Sequence, residues 1–322
     1  MICRRFFVSF RLTAFALAVL TVGCKNKSAP AESEAPLSLP TMGNVTLYAD
    51  ESFQPLLEST VQSFSRVYKN TEVDIRYVEE RVALEKFLNF ESPVVFVARR
   101  LTDRELAAHR EKGFNTHQLK VATDALAFVV NSNNPDSLLT HDQLVNLLNG
   151  SLATWSGVSA TNRSGTVALV FQKSSSSTAT FVRDSILNGN ALPPNSYALD
   201  THPDVLEYVR NNTGAIGVIA LNWISDTNDP GVLESLRGLR TVAVSMPGAS
   251  DLFYKPTKAH VRQGFYPFVR SVYVMNAEGR SGLGTGFASF LASDRGMTII
   301  ERFGLVPAKE PMRLIETRKS FD

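Results

Sequence analysis

Apolar residues along the chain fall into two alternating periods. From Val45 the run VTLYAD reads as a short strand, and ESFQPLLESTVQSFSRVYKN places Phe53, Leu56, Leu57, Val61, Phe64 and Val67 at helical spacing. The same strand-then-helix order recurs as VDIRYV with ERVALEKFLNF, PVVFVA with TDRELAAHREKG, DALAFVVN with HDQLVNLLNG, and TVALVF with TATFVRDSIL. GAIGVIAL, LRTVAVS and FVRSVYVM follow as strands, and GTGFASFLASDRGMTIIERFG reads as one long apolar-periodic helix. Such alternation predicts βαβ units, hence an α/β fold with mostly parallel sheets and helices on both faces. Roughly 280 residues with this many strands exceed what one sheet comfortably holds, so two α/β lobes are expected. In folds of this kind ligands sit outside the carboxyl ends of strands, beside helix starts.

Composition narrows the function more than the fold. A share of 44% hydrophobic and 20% charged residues is that of a globular protein, and a net charge of +2 without a Lys/Arg run excludes polymeric nucleic acid as a partner. Ahead of the globular part, Arg4, Arg5 and Arg11 precede an apolar run from Thr13 to Val22 that is too short to span a bilayer, then Gly23 and Cys24. Residues 1–23 therefore read as an export signal of the lipoprotein kind, with Leu20 one place earlier than the usual leucine and Cys24 as the lipidated first residue. The other cysteine, Cys3, lies within the removed segment, leaving no pair for a disulfide. Residues 24–43 are rich in Ser, Pro, Ala and Glu without periodicity and read as a flexible tether.

Catalytic signatures are missing: there is no G-x-S-x-G, S-x-x-K, Walker loop or H-E-x-x-H. The histidines His109, His117, His141, His202 and His260 are scattered, so neither a metal site nor a cofactor is expected. GLGTGF at 282–287 lacks the strand that a dinucleotide fingerprint needs and opens the C-terminal helix instead. What remains is a set of strand-to-helix turns carrying small hydroxyls and charges. The first strand ends at Asp50 with Ser52 at the cap position, the third ends at Arg99 and Arg100 before Thr102, and TVALVF ends near Gln172 before Ser175, Ser176, Ser177 and Thr178. Each turn alone is a helix cap. Together, at the ends of different strands, free amides and rotatable hydroxyls suit an oxyanion.

These blocks resemble the phosphate-binding (PstS-like) substrate-binding proteins of ABC transporters, in the lipoprotein form common in Bacteroidetes-type bacteria. The likeness runs from Val45 to Ile315 through ADESFQPLLE, ARRLTDRE, VATDALAFVVNSNNPDSLLTHDQLVNLLNGSLATW, SSSTATFVRDSIL, VLEYVRNNTGAIGVIALNWIS and YPFVRSVYVMN. It implies a hinged, two-lobed periplasmic-binding-protein fold of type II. Lobe 1 would comprise 44–123 and about 247–322, and lobe 2 would comprise 124–246. It also implies a monomer held at the membrane by a lipid anchor, which binds inorganic phosphate and delivers it to a permease and its ATPase; it implies no enzyme activity.

By position, the family's Ser-Gly-Thr loop falls on Ser176, Ser177 and Thr178, its first-loop hydroxyl near Ser52, and its third-turn arginine on Arg99. The arginine that usually precedes the Ser-Gly-Thr loop is replaced by Gln172, and the second Gly/Ser-rich loop reads Glu79, Glu80, Arg81. Phosphate, unlike sulfate, keeps a proton at neutral pH, so a phosphate site wants a carboxylate acceptor, for which Asp50, Glu80 and Asp124 are the candidates. Asp124 is equally readable as the structural acceptor of a hinge amide. Two other readings are open: a receptor for another oxyanion or a small carboxylate, and an exported hydrolase or surface interaction module.

Overall fold

The computed structural model describes residues 39–309, so Cys24, the export signal and most of the tether lie outside the described residues. The chain begins with strand β1 (Gly43–Asp50), helix α1 (Gln54–Val67), β2 (Thr71–Val78), α2 (Glu80–Leu88), β3 (Val94–Val97) and α3 (Asp103–Glu111). A 15-residue strand β4 (His117–Asn131) leads through β5 (Leu138–Leu139), α4 (His141–Leu148), β6 (Ala168–Gln172), α5 (Ser177–Phe181), β7 (Ser196–Leu199), α6 (His202–Asn211) and β8 (Ala215–Ala220). The remainder is α7 (Pro230–Ser235), β9 (Leu239–Thr241), β10 (Ala243–Ser245), β11 (Phe253–Tyr254), α8 (Lys258–Arg262), β12 (Val269–Asn276), α9 (Leu283–Leu291), α10 (Asp294–Arg302) and β13 (Val306–Pro307).

Burial explains why these segments extend. β3 and β8 are buried at every position, the continuous apolar run of a strand covered on both faces. Helix starts are written just as plainly: Thr102, Thr140 and Thr201 each form a reciprocal capping box with Glu105, Gln143 and Asp204.

Strands β11-β10-β5 form a separate three-stranded sheet, and the other ten form a mixed sheet whose main path is β2-β1-β3-β12-β4-β8-β6-β7, with β9 and β13 also paired to β4. Its two flanks are parallel, β2-β1-β3 and β8-β6-β7. The centre differs from the mostly parallel expectation, because β12 and β4 are antiparallel to each other and to their outer neighbours. β12 runs in the sense of β8, β6 and β7 but lies beside β3, and β4 runs in the sense of β1, β2 and β3 but lies beside β8.

β4 also joins what periodicity separates into two sheets, pairing with β12 along its first half and with β8 along its second. One buried core draws on residues from Ala125 to Phe268, while a second draws on Leu47–Ala122 and Val272–Leu305.

The single long C-terminal helix expected from periodicity is two helices. Ser293 caps α10 by accepting from the Gly296 amide, and at Gly296 a Cβ would lie 2.2 Å from the Leu291 carbonyl oxygen. Periodicity continues across this corner because both helices bury their apolar faces in the same core. A second close approach sets the position of α6. At Gly217 in β8 a Cβ would meet Val205 and Val209 methyls at 2.9 Å, so the missing side chain lets α6 lie directly on the strand. The start of α6 is thereby held at the strand ends.

Candidate functional site

Three strand ends meet at one buried point. After β1, the Ser52 amide donates to Asp50 Oδ1 at 3.1 Å, forming a tight turn that places the Ser52 hydroxyl 2.9 Å from the Ser177 hydroxyl at the start of α5. The Ser52 carbonyl accepts from Asn222 Nδ2 at 2.7 Å and from Trp223 Nε1 at 3.0 Å, both in the turn after β8. Ser52, Ser177 and Asn222 are all buried. At α5, Ser176 caps the helix by accepting from the Ala179 amide at 3.2 Å, and its hydroxyl is 3.0 Å from that of Thr178.

The cation at this point comes from the middle of the sheet. Arg270 in β12 donates through Nη1 to Ser177 Oγ at 2.6 Å and through Nε to Asp124 Oδ2 at 2.9 Å. The side chains of this ion pair are 1% and 0% exposed. The guanidinium also lies 5.1 Å from the centre of the Phe53 ring. The charge that is absent at Gln172 is therefore present, supplied by a strand almost a hundred residues further along the chain.

Arg270 lies in the block YPFVRSVYVMN without a local motif to mark it as part of the site. The available signal was a lone charge inside the apolar run FVRSVYVM, which is costly unless something in the interior receives it.

Of the residues singled out from sequence, Ser52, Asp124, Ser176, Ser177 and Thr178 gather here. Gln172 joins them as a buried neighbour, its amide pointing toward the Asp200 carbonyl at 3.5 Å. Ser175 and Arg99 lie outside this point. Ser175 donates to Glu79 Oε2 at 2.5 Å, and Arg99 holds Glu105 with two bonds of 2.8 and 2.9 Å. Both line an adjacent cavity of about 260 Å³ with Glu80, Arg81, Thr180 and Arg183. Lys173, whose φ of 47° turns the chain sharply, reaches Glu51 Oε2 at 3.0 Å. Asn222 and His202 were also missed as neighbours of the site; neither has a motif around it, because each is placed by an end of the sheet.

Electrostatically the point is dry and crowded with acid. Burial pushes the Asp50 and Asp124 carboxyls up, and the Arg270 guanidinium opposes this in both. Glu80, which accepts from the Ala98 amide at 2.6 Å, is pushed up to about 7 by burial and then by the charge of Asp50. Burial also raises Glu51, with Lys173 acting against it. Several buried polar atoms here lack a hydrogen-bond partner among the described residues: Asp50 Oδ2, Asp124 Oδ1, Gln172 Oε1, Asn222 Oδ1, Arg270 Nη2 and both ring nitrogens of His202. A native interior rarely leaves so many together, and their convergence marks a place built for a small polar ligand.

The fold thus carries a buried polar cluster at the ends of strands in a mixed sheet. The chain matches the model of the PBP superfamily domain over residues 34–295 and belongs to that family. Its architecture is the type II periplasmic-binding-protein fold.

Among similar proteins, the phosphate-binding protein PstS of Staphylococcus epidermidis is 22% identical over 221 residues; the match covers 68% of this chain and 64% of that relative's length. The phosphate-binding protein PstS of Borreliella burgdorferi is 21% identical over 273 residues, covering 82% of this chain and 90% of its own. An ABC-type phosphate transport receptor from Vibrio cholerae superposes with a TM-score of 0.62 at 18% identity, covering 82% of this chain and 100% of the other. No helix among the described residues is long and apolar enough to cross a membrane.

Proposed function

We propose that this chain is an exported receptor for inorganic phosphate that closes around the anion and passes it to an ABC transporter permease. The observation that carries this reading is the composition of the buried point. It offers one guanidinium, the hydroxyls of Ser52 and Ser177, and two carboxyls, Asp50 and Asp124, each with an oxygen left unpartnered. Donors alone would suit sulfate; donors mixed with carboxyl acceptors suit an oxyanion that still carries a proton. The PstS relatives support the same ligand, and the fold supports binding over turnover.

In this reading residues 44–123 with about 247–322, and residues 124–246, act as two lobes joined by a hinge. Ser52 from one and Ser177 from the other meet only on closure, so the anion draws a two-state equilibrium toward the closed form. Cys24 carries the lipid that keeps the protein, as a monomer, on the outer face of the membrane. No bond in the ligand is broken.

Isothermal titration of the full chain in detergent, stripped of anions, tests this directly. Phosphate is expected to bind more tightly than sulfate, molybdate or small carboxylates. Replacing Ser176 and Thr178 together with alanine should weaken phosphate binding by more than about tenfold. Tighter binding of another anion in the same panel would transfer the reading to that ligand, and turnover of a chromogenic phosphoester would replace it with an enzyme.

A further inference from the structure

His202 opens α6 at the carboxyl end of β7, next to β6, in which Gln172 pairs with Leu199. Its side chain is 0% exposed, and neither ring nitrogen has a partner among the described residues. The ring stacks at a tilt against Trp223 with centroids 5.0 Å apart, and Trp223 Nε1 in turn holds the Ser52 carbonyl. Burial, and then the nearby Arg270 charge, lower the imidazole to about 3, so it is neutral throughout the physiological range.

A neutral imidazole has one N–H donor and one lone-pair acceptor, and burying both without partners disfavours folding. His202 shares this condition with Asn222 Oδ1 and Gln172 Oε1, which are the uncharged atoms of the same unpartnered group. The Asn222 orientation is set by the bond from its Nδ2 to Ser52, which leaves its oxygen as an acceptor. The point therefore carries uncharged polar atoms as well as the carboxyls.

We propose that His202 is a specificity-determining contact of this point, accepting a ligand O–H at its unprotonated ring nitrogen. This rests on the phosphate reading. A phosphate that still carries a proton satisfies the acceptor nitrogen, whereas sulfate, which brings no proton, leaves it buried and unpaired. Gln172 and Asn222 supply further uncharged polar atoms beside it, where the resemblance leads one to expect a second cation.

The test pairs ligand-free stability with binding, because the assignment makes them move apart. In the full chain, His202→Phe fills the ring space and removes both unpartnered nitrogens. Its ligand-free melting temperature should equal or exceed that of the parent, its phosphate Kd should rise about tenfold or more, and its preference for phosphate over sulfate should shrink. A purely structural histidine gives another pattern: a lower ligand-free melting temperature with an unchanged Kd, which overturns the assignment.

Nitrogen-15 spectra of the ring-labelled parent read the same contact without any substitution. Both His202 ring resonances should move on adding inorganic phosphate, and stationary resonances in a protein that binds phosphate overturn the assignment while leaving the phosphate reading intact. A parent that shows no phosphate binding rejects both.

Discussion

Removing the Arg270 charge tests the centre of the site most severely. Arg270→Met keeps the length and apolar stem of the side chain but leaves Asp124, fully buried, without its counter-charge. Breaking a buried ion pair from one side costs about 3–5 kcal/mol, a large part of the 5–15 kcal/mol typical of a folded domain, so the variant should fold but be weakened. The cost has a built-in limit, since the stranded carboxyl can take up a proton.

Burial already raises Asp124, and loss of the guanidinium raises it further. A carboxyl raised on folding contributes stability that is present below its unfolded value and lost as pH rises through its folded one. The deficit of Arg270→Met should therefore be largest near neutrality and shrink as pH falls from 7.5 to 5.5. Adding Asp124→Leu should restore most of the loss at pH 7.5, because an apolar pair replaces a stranded charge. Phosphate binding should stay absent in both variants. Urea midpoints across pH and isothermal titration supply the readings. A deficit independent of pH, or a double variant no more stable than the single, would refute the account of Arg270 as the buried counter-charge of this acid cluster.

Three further outcomes follow from the structure. Glu80, pushed up to about 7, contributes stability that is full below its unfolded value near 4.5 and declines by about 3 kcal/mol as pH rises through about 7. Glu80→Gln keeps an acceptor for the Ala98 amide and should flatten that decline in urea melts at pH 5 and 8. At Gly217, valine would press on Val205 and Val209 and should cost about 1–3 kcal/mol by denaturant melting, with weakened ligand binding as the α6 start shifts. Ser293→Ala removes the cap that starts α10 and should lower stability by about 1 kcal/mol without changing ligand affinity.

Much of the fold was readable because local rules and burial agree. The strands β1, β3, β6 and β8 and the helices α3 and α4 follow from apolar period, with Thr102 marking the start of α3, whereas α6 was not read from the sequence. The corner between α9 and α10 was not readable, because Ser293 and Gly296 interrupt the backbone without interrupting the apolar face. The direction of β4 and β12 was equally hidden, since an apolar strand reads the same in either sense.

The site divides in the same way. Ser52, Ser176, Ser177 and Thr178 were legible in the sequence because hydroxyls at helix starts have a local signature. The family resemblance also led one to expect a positive charge beside the serine loop, in the place held by Gln172. Only the tertiary structure brings Arg270 from β12 to Ser177 and Asp124, and His202 and Asn222 from other strand ends to the same point. The physical reason is that an ion pair depends on distance in space: a charge 93 residues from Ser177 along the chain can lie 2.6 Å from it once the sheet brings the two strand ends together.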